Sequence, residues 1–331
     1  MKVRGFLALS ACIAIIGGLL LDGDKAQAAT CTVSATPIIF SSIDILNGAA
    51  VNAEGRLTVT CTTSVLDVGS LGYIPVCPSI NAGSAGASGG IRRLSNGSGI
   101  LTYQLYQDAA RTLPWGSSSD SSLGDVPRID VPVTIPIIGT GGGSLTVPIY
   151  AVLMGSQTTA SLGTYTSSLG ITARYGVLTV AVIGGCGTIL GLLSQTATNS
   201  FSVSATIDKN CLITTQDVNF GTRGVLSSNV DATGQVRVTC TNATPYSVAL
   251  GVGSYTATTR RMTNGSQYVV YGLYQDAART QPWGSDPAGS DTVSGTGTGL
   301  TQSLSVYARV APQTTPPAGT YTDSVVVTVT Y

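Results

Sequence analysis

The chain has 331 residues, with 16 basic groups, 16 acidic groups, no histidine, and a charged fraction of only 10%. The missing histidine excludes the common general base, the histidine triads and the histidine-containing zinc sites. The even charge balance excludes the basic field that nucleic acid demands, and a single glutamate, Glu54, leaves little material for long charge-laced helices. No cofactor, metal, catalytic residue or nucleic-acid partner is therefore expected.

Residues 1–28 have the build of a secretory signal peptide. Lys2 and Arg4 precede the apolar run Phe6–Leu21, and Ala26-Gln27-Ala28 is a small-x-small cleavage site. The run of 16 residues is shorter than the roughly 20 that span a bilayer. Leu9-Ser10-Ala11-Cys12 has the residue types of a lipoprotein signal, but the apolar stretch before Cys12 is short and continues past it. Cleavage after Ala28 leaves 13 basic and 14 acidic groups and six cysteines, Cys31, Cys61, Cys77, Cys186, Cys211 and Cys240. An even count in a secreted chain favours disulfides.

Downstream of the leader the chain repeats itself. Residues 92–116, RRLSNGSGILTYQLYQDAARTLPWG, align without a gap on 260–284, RRMTNGSQYVVYGLYQDAARTQPWG, at an offset of 168. Cys31 and Cys61 are 30 apart and Cys211 and Cys240 are 29 apart, with Phe40 and Phe220 each nine residues after the first cysteine. GTYTSSLGITARY (163–175) matches GTYTDSVVVTVTY (319–331) at an offset of 156. Two homologous halves follow.

Each half reads as all-β. Val325, Val327, Val329 and Tyr331 alternate with Val326, Thr328 and Thr330, the period of a strand with one buried face. Asn-Gly at 96–97 and 264–265 predicts hairpin turns, although Asn-Gly-Ser is also a glycosylation acceptor. Between the halves, TNSFSVSATI (198–207) puts Phe201, Val203, Ala205 and Ile207 on one face and Ser202, Ser204 and Thr206 on the other. This strand precedes Cys211, whereas only Ala29 and Thr30 stand between the cleavage site and Cys31.

The CTVSAT and CLITT starts with Phe40 and Phe220, VTCT at 59–62 and 238–241, the LYQDAAR…PWG blocks and the GTYT…Y endings together resemble the spore coat protein U domain family, the fold of pilins in archaic (Csu-type) chaperone–usher pili. The resemblance implies two tandem incomplete immunoglobulin-like (pilin-type) β-sandwiches joined by donor-strand complementation, in which a strand from elsewhere fills an open groove. The implied layout is an adhesin domain over 29–197, a linker strand over 198–210 and a pilin domain over 211–331. The linker strand would fill the first domain, and the second would accept a strand from the next pilin. A processed N-terminus with no strand to donate would place the protein at the pilus tip. The resemblance further implies a periplasmic chaperone and an outer-membrane usher as partners and a route through the periplasm to the cell surface. It implies attachment to a hydrophobic or host surface, biofilm formation, and no enzyme activity. A structural pilin or spore-coat-type surface protein, or a secreted carbohydrate-binding protein using a polar surface of Tyr, Asn and Asp, remain alternatives; Trp115 and Trp283 could stack on sugars, but a preceding Pro in both copies favours packing.

The first half is longer at three places. The Cys61–Arg92 interval exceeds Cys240–Arg260 by 11 residues, adding Leu71, Tyr73, Ile74, Val76 and Cys77. The Trp115–Tyr165 interval exceeds Trp283–Tyr321 by 12, around Val133, Ile135, Ile137 and Ile138. A third addition after Tyr175 contains Val182, Ile183, Ile189, Leu190, Leu192 and Leu193. These apolar segments read either as extra core or as an exposed patch that binds surfaces. The uncharged 175–193 stretch also raises a membrane span, against which its glycines and Cys186 argue. By copy equivalence Cys31 pairs with Cys61 and Cys211 with Cys240, leaving Cys77 to pair with Cys186. Asp108 with Arg111, and Asp276 with Arg279, read as turn or ion-pair groups. Gly141-Gly142-Gly143 lacks the lysine of a phosphate loop.

Overall fold

The computed structural model describes residues 29–41, 43–67, 72–178, 184–255 and 258–331. The described residues are almost entirely strands. The first unit contains β1 (Thr30–Ala35), β2 (Ile38–Phe40), β3 (Val51–Ser64), β4 (Tyr73–Ile80), β5 (Ala87–Ser88), β6 (Ile91–Ser95), β7 (Ile100–Tyr106), β8 (Ile129–Pro132), β9 (Thr140–Leu153), β10 (Gly163–Tyr175) and β11 (Gln195–Ile207). The second contains β12 (Cys211–Gln216), β13 (Val230–Cys240), β14 (Pro245–Leu250), β15 (Arg261–Thr263), β16 (Tyr268–Val270), β17 (Gly272–Tyr274), β18 (Val293–Thr296), β19 (Gln302–Val310) and β20 (Val327–Thr330). The one α-helix among the described residues, α1, is the single turn Cys186–Ile189.

Period-2 patterning selects these strands. In β10, Tyr165, Leu169, Ile171, Ala173 and Tyr175 are buried while the intervening Thr164, Thr166, Ser168, Thr172 and Arg174 are exposed or nearly so. One residue of slip would turn that whole apolar row into solvent. The first unit is a continuous hydrogen-bonded network of order β1-β3-β9-β7-β6-β10-β11-β2, with β4 joined to β10 and β8 joined to β4. Its two layers, β1-β3-β9-β7 and β8-β4-β10-β11-β2, close on one core that includes Ile38, Phe40, Leu57, Val59, Tyr103, Tyr165, Leu169 and Val203. Phe40 meets Tyr103 edge-on across the layers at 6.2 Å.

The second unit repeats this plan with fewer parts. Its sheets are β12-β13-β19-β17 and β18-β14-β20, and β15 pairs with β16 as a hairpin. Phe220 meets Tyr271 edge-on at 6.1 Å, the same interlayer contact in the second copy. The Asn-Gly turns behave as expected: Asn96 Oδ1 accepts from the Ser98 and Gly99 N–H groups, and Asn264 Oδ1 from those of Ser266 and Gln267. Gly97 and Gly265 take φ of 89° and 100°, which glycine adopts without Cβ strain. The units touch through Asn242, whose Nδ2 donates to Thr159 O at 2.8 Å and whose carbonyl accepts from Leu162 N–H at 3.3 Å.

Candidate strand-exchange groove and distal apolar surface

The segment between the copies completes the first unit. β11 pairs antiparallel with β10 along its entire length, from Gly163↔Ile207 to Tyr175↔Gln195. It begins at Gln195, three residues before the expected position 198, because the ladder continues to the end of β10. Its other edge runs parallel to β2, with Val203 opposite Ile38 and Ala205 opposite Phe40. Phe201, Val203, Ala205 and Ile207 are all buried, and Asn199 Nδ2 donates to Val33 O at 2.7 Å on β1. At roughly 1.5–3 kcal/mol for each large apolar side chain, Phe201, Val203 and Ile207 contribute about 5–9 kcal/mol of gross burial. That is comparable with the whole stability of an ordinary domain, about 5–15 kcal/mol.

The matching groove of the second unit has no such strand among the described residues. Among the described residues β20 pairs only with β14, from Ser247↔Thr330 to Leu250↔Val327, and its four residues contrast with the 13 of β10. Leu169, Ile171, Ala173 and Tyr175 are buried in the first unit; their equivalents Val325, Val327 and Val329 are half-buried and Tyr331 is 47% exposed. Across the gap, Ile38 and Phe40 are buried but Val218 and Phe220 are half-buried. The apolar side chains of 218–220 and 325–331 are thus left partly uncovered, and the second edge of β20 has no strand partner among the described residues. Such an edge is a template for another strand.

The repeated RR and PWG blocks build the same arginine clamp in both copies. Arg92 is fully buried. Its Nε donates to Asn81 O at 3.0 Å, its Nη1 to Gln104 Oε1 at 2.7 Å, and its Nη2 to Ile80 O at 2.7 Å and Trp115 O at 2.9 Å. Burial lowers its pKa to about 10, so it stays charged at neutral pH. Arg260 repeats the clamp through Nε to Gly251 O at 2.8 Å and Nη2 to Leu250 O and to Trp283 O. The constant Arg-to-Trp spacing in both copies was the sequence signal for this clamp. Trp115 and Trp283 are buried, and their indole N–H groups donate to Pro78 O and Val248 O, which removes them as sugar platforms. Asp108 accepts from Thr112 N–H, Thr112 Oγ1 and Leu113 N–H, and Asp276 does the same with Thr280 and Gln281. Both are turn-closing groups, and these bonds, that of Leu113 or Gln281 foremost, hold their carboxyls below the usual range.

All three additions sit at the end of the first unit farthest from the second. Register fixes this: Ser64 lies opposite Thr140, Tyr73 opposite Pro132, and Tyr175 opposite both Val76 and Gln195. The Cys77–Cys186 disulfide ties the first addition to the third, and Arg128 Nη1 donates to Gly184 O at 3.0 Å, tying the third to the segment that enters β8. Cys31–Cys61 and Cys211–Cys240 each bridge directly opposed strand positions.

The additions divide between core and surface, and several residues expected on the contact surface are core. Ile74 and Val76 are buried because β4 lies between β10 and β8. Val133, the residue after β8, packs into the first unit's core, and Ile189 and Leu193 close over the Cys77–Cys186 bridge. Tyr73, Ile135 and Leu190 are half-buried. Ile137 and Ile138, 94% and 89% exposed, and Leu192, 54% exposed, are the outward-facing ones. Leu71, Val182 and Ile183 lie outside the described residues. Among the described residues no helix is long and apolar enough to cross a membrane.

Two tandem β-sandwich units, the first completed by the strand that leads into the second, define a protein of the incomplete pilin type. The Spore Coat Protein U domain model matches residues 20–172 and 197–328, and the chain belongs to that family. Protein U of Myxococcus xanthus is 32% identical over 162 residues, covering 42% of this chain and 87% of that protein. Among solved structures, the CsuC–CsuE chaperone–tip adhesion subunit pre-assembly complex from the archaic chaperone–usher Csu pili of Acinetobacter baumannii is 19% identical. That match covers 91% of this chain and 100% of the other, with a TM-score of 0.49. The CupB6 tip adhesin from Pseudomonas aeruginosa is 10% identical, covering 91% and 94%, with a TM-score of 0.37.

Proposed function

We propose that this protein is the tip adhesin of an archaic chaperone–usher pilus, built as an adhesin domain (29–197), a linker strand (198–210) and a pilin domain (211–331). The observation that carries this reading is the difference between the two grooves. β11 fills the first within the chain, and the second stands open beside β20. A periplasmic chaperone strand would occupy the open groove first, and at the outer-membrane usher the N-terminal strand of the next pilin would replace it. Removal of residues 1–28 leaves two residues before Cys31, too few to fill a groove in return, which suits a subunit that accepts a strand and donates none. The distal Ile137, Ile138 and Leu192 then form the contact surface for hydrophobic or host surfaces, and biofilm formation follows from attachment. No step of this role calls for catalysis.

The experiment is a peptide of sequence TNSFSVSATI, added to the purified chain. It should protect β20 amides from hydrogen exchange and leave β10 amides unchanged. Equal protection of both strands, or of neither, would overturn the reading of the second groove as a strand acceptor. The family's name and the M. xanthus relative, which matches one unit's length of this chain, favour a second reading as a structural coat or pilus component. Loss of assembly, rather than loss of attachment alone, when Ile137 and Ile138 are replaced by aspartate would support it.

A further inference from the structure

At the distal end, where Thr30 pairs with Thr62, the backbone N–H of Ala29 donates to Asp67 Oδ1 at 3.2 Å. Asp67 closes the 3-10 turn Val65–Asp67, which belongs to the first addition. Its other oxygen accepts from Ser64 N–H at 2.8 Å and from the Ser64 hydroxyl at 3.4 Å. Both Ala29 and Asp67 are 5% exposed. A carboxylate withdrawn from water to this degree requires a counter-charge. The ion pairs among the described residues are Arg128–Asp130, Arg279–Asp231 and Arg309–Asp231, and none engages Asp67. Downstream of residue 28, the residues outside the described set contain no lysine or arginine, so no side chain there supplies the cation either.

We propose that the cation is the α-ammonium released when the leader is cut between Ala28 and Ala29, and that Asp67 is the built receptor for the processed N-terminus. Hydrolysis of that peptide bond consumes one water. Ala28 departs with a carboxylate, and the Ala29 nitrogen takes up the proton, so one neutral N–H already aimed at Asp67 becomes three N–H donors carrying a positive charge. The small-x-small motif and the buried carboxylate are independent observations, and they select the same bond. One extra residue would carry the charge about 3.5 Å farther along the chain, out of reach of Oδ1. The second copy is the internal control. There the chain runs back through Lys209, the counterpart of Ala29, into β11, and the residue after β13, Thr241, donates its N–H and Oγ1 to the carbonyl of the next residue, Asn210. The acidic receptor exists only in the copy whose chain is cut. Processing thereby fastens the terminus to the distal end, and an uncut precursor lacks the charge that settles Asp67.

Only two primary amines survive processing, the α-amine and Lys209. In a Lys209→Arg chain secreted at full length, the α-amine is the sole target of an N-hydroxysuccinimide ester at neutral pH. Intact mass should begin at Ala29. Acylation of the native chain should run at least about tenfold slower than in the same chain unfolded in urea, because the partner carboxylate holds the amine protonated. Asp67→Asn, or one glycine inserted before Ala29, should restore the fast rate. The glycine insertion keeps Asp67 and serves if Asp67→Asn fails to fold. A mass beginning elsewhere, or a native amine as reactive as the unfolded one, would overturn the assignment.

Discussion

Equivalent positions in the two grooves should respond differently to the same truncation. Leu169 on β10 faces Phe201 across the ladder and is fully buried. Leu169→Ala removes a sealed side chain and leaves a cavity, at a cost of about 2–5 kcal/mol. With a urea m-value near 2 kcal/mol/M, a loss of about 3 kcal/mol lowers the first unit's midpoint by roughly 1.5 M. Val325, at the same place in the second copy, is half-buried beside an unfilled trough. Val325→Ala forfeits part of a transfer energy and seals no cavity, so its cost stays under about 1 kcal/mol and its midpoint shift under about 0.5 M. Urea titrations followed by tryptophan fluorescence report both units, because Trp115 and Trp283 are each buried in one of them. Hydrogen exchange on β10 and β20 assigns the transitions. Saturating TNSFSVSATI peptide should raise the cost of Val325→Ala toward that of Leu169→Ala. A free chain in which the two truncations cost the same would refute the argument, since Val325 would then already be covered.

Ile137→Asp with Ile138→Asp should shift stability by no more than about 0.5 kcal/mol, as these side chains touch little, while abolishing attachment to polystyrene in a binding assay. Cys77→Ala with Cys186→Ala opens a loop with a sequence separation of 109 and should destabilise the first unit by about 4–5 kcal/mol in urea titration, leaving the second unit's transition in place. Arg92→Met strips charge-assisted bonds from two buried carbonyls and Gln104 and should cost about 3–5 kcal/mol by the same measurement. Asp108 and Asp276 have folded pKa values held below the ordinary aspartate range by the backbone N–H groups of Leu113 and Gln281, so the unfolded chain takes up their protons first. Their contribution is present above about pH 4 and is lost as pH falls through the folded values; Asp108→Asn and Asp276→Asn should flatten the acid limb of a thermal-melt pH series.

The duplication made the plan legible. Offsets of 168 and 156 aligned strand with strand, the cysteine spacing anticipated which sulfurs would face each other, and the alternation at Phe201 to Ile207 marked a strand that buries one face. Alternation survives in sequence because a strand with one covered face must write it there. Exposure of the additions was not legible, because Val133, Ile135 and Ile137 form one apolar, proline-spaced series. The series breaks only in three dimensions: Val133 turns into the core as the chain leaves β8, whereas Ile137 and Ile138 follow Pro136 into the turn before β9 and stand almost fully exposed. Ile74 and Val76 looked like loop residues because their segment has no counterpart in the second copy. They are strand residues because β4 is paired on both edges, by β10 and β8, as β14 is by β20 and β18 in the second copy. The Arg92 clamp and Asp67 escaped notice because a charged residue reads as surface until its partners are placed.

Topology explains why the first unit grew at one pole only. The connections β3–β4, β8–β9 and β10–β11 all turn at the distal end, as the pairs Ser64↔Thr140, Tyr73↔Pro132 and Tyr175↔Gln195 require. The connection β9–β10 turns at the opposite end, where Thr159 and Leu162 meet Asn242 of the second unit, and the segment after β11 leaves there too. Lengthening a connection at that junction would disturb the docking of the units, and lengthening β10–β11 anywhere but its distal turn would break the ladder that completes the first core. Insertions are therefore tolerated at the distal turns alone. That is also where Ala29 folds against Asp67 and where Ile137 and Ile138 stand free, so the pole released from structural duty is the one that carries the exposed apolar surface.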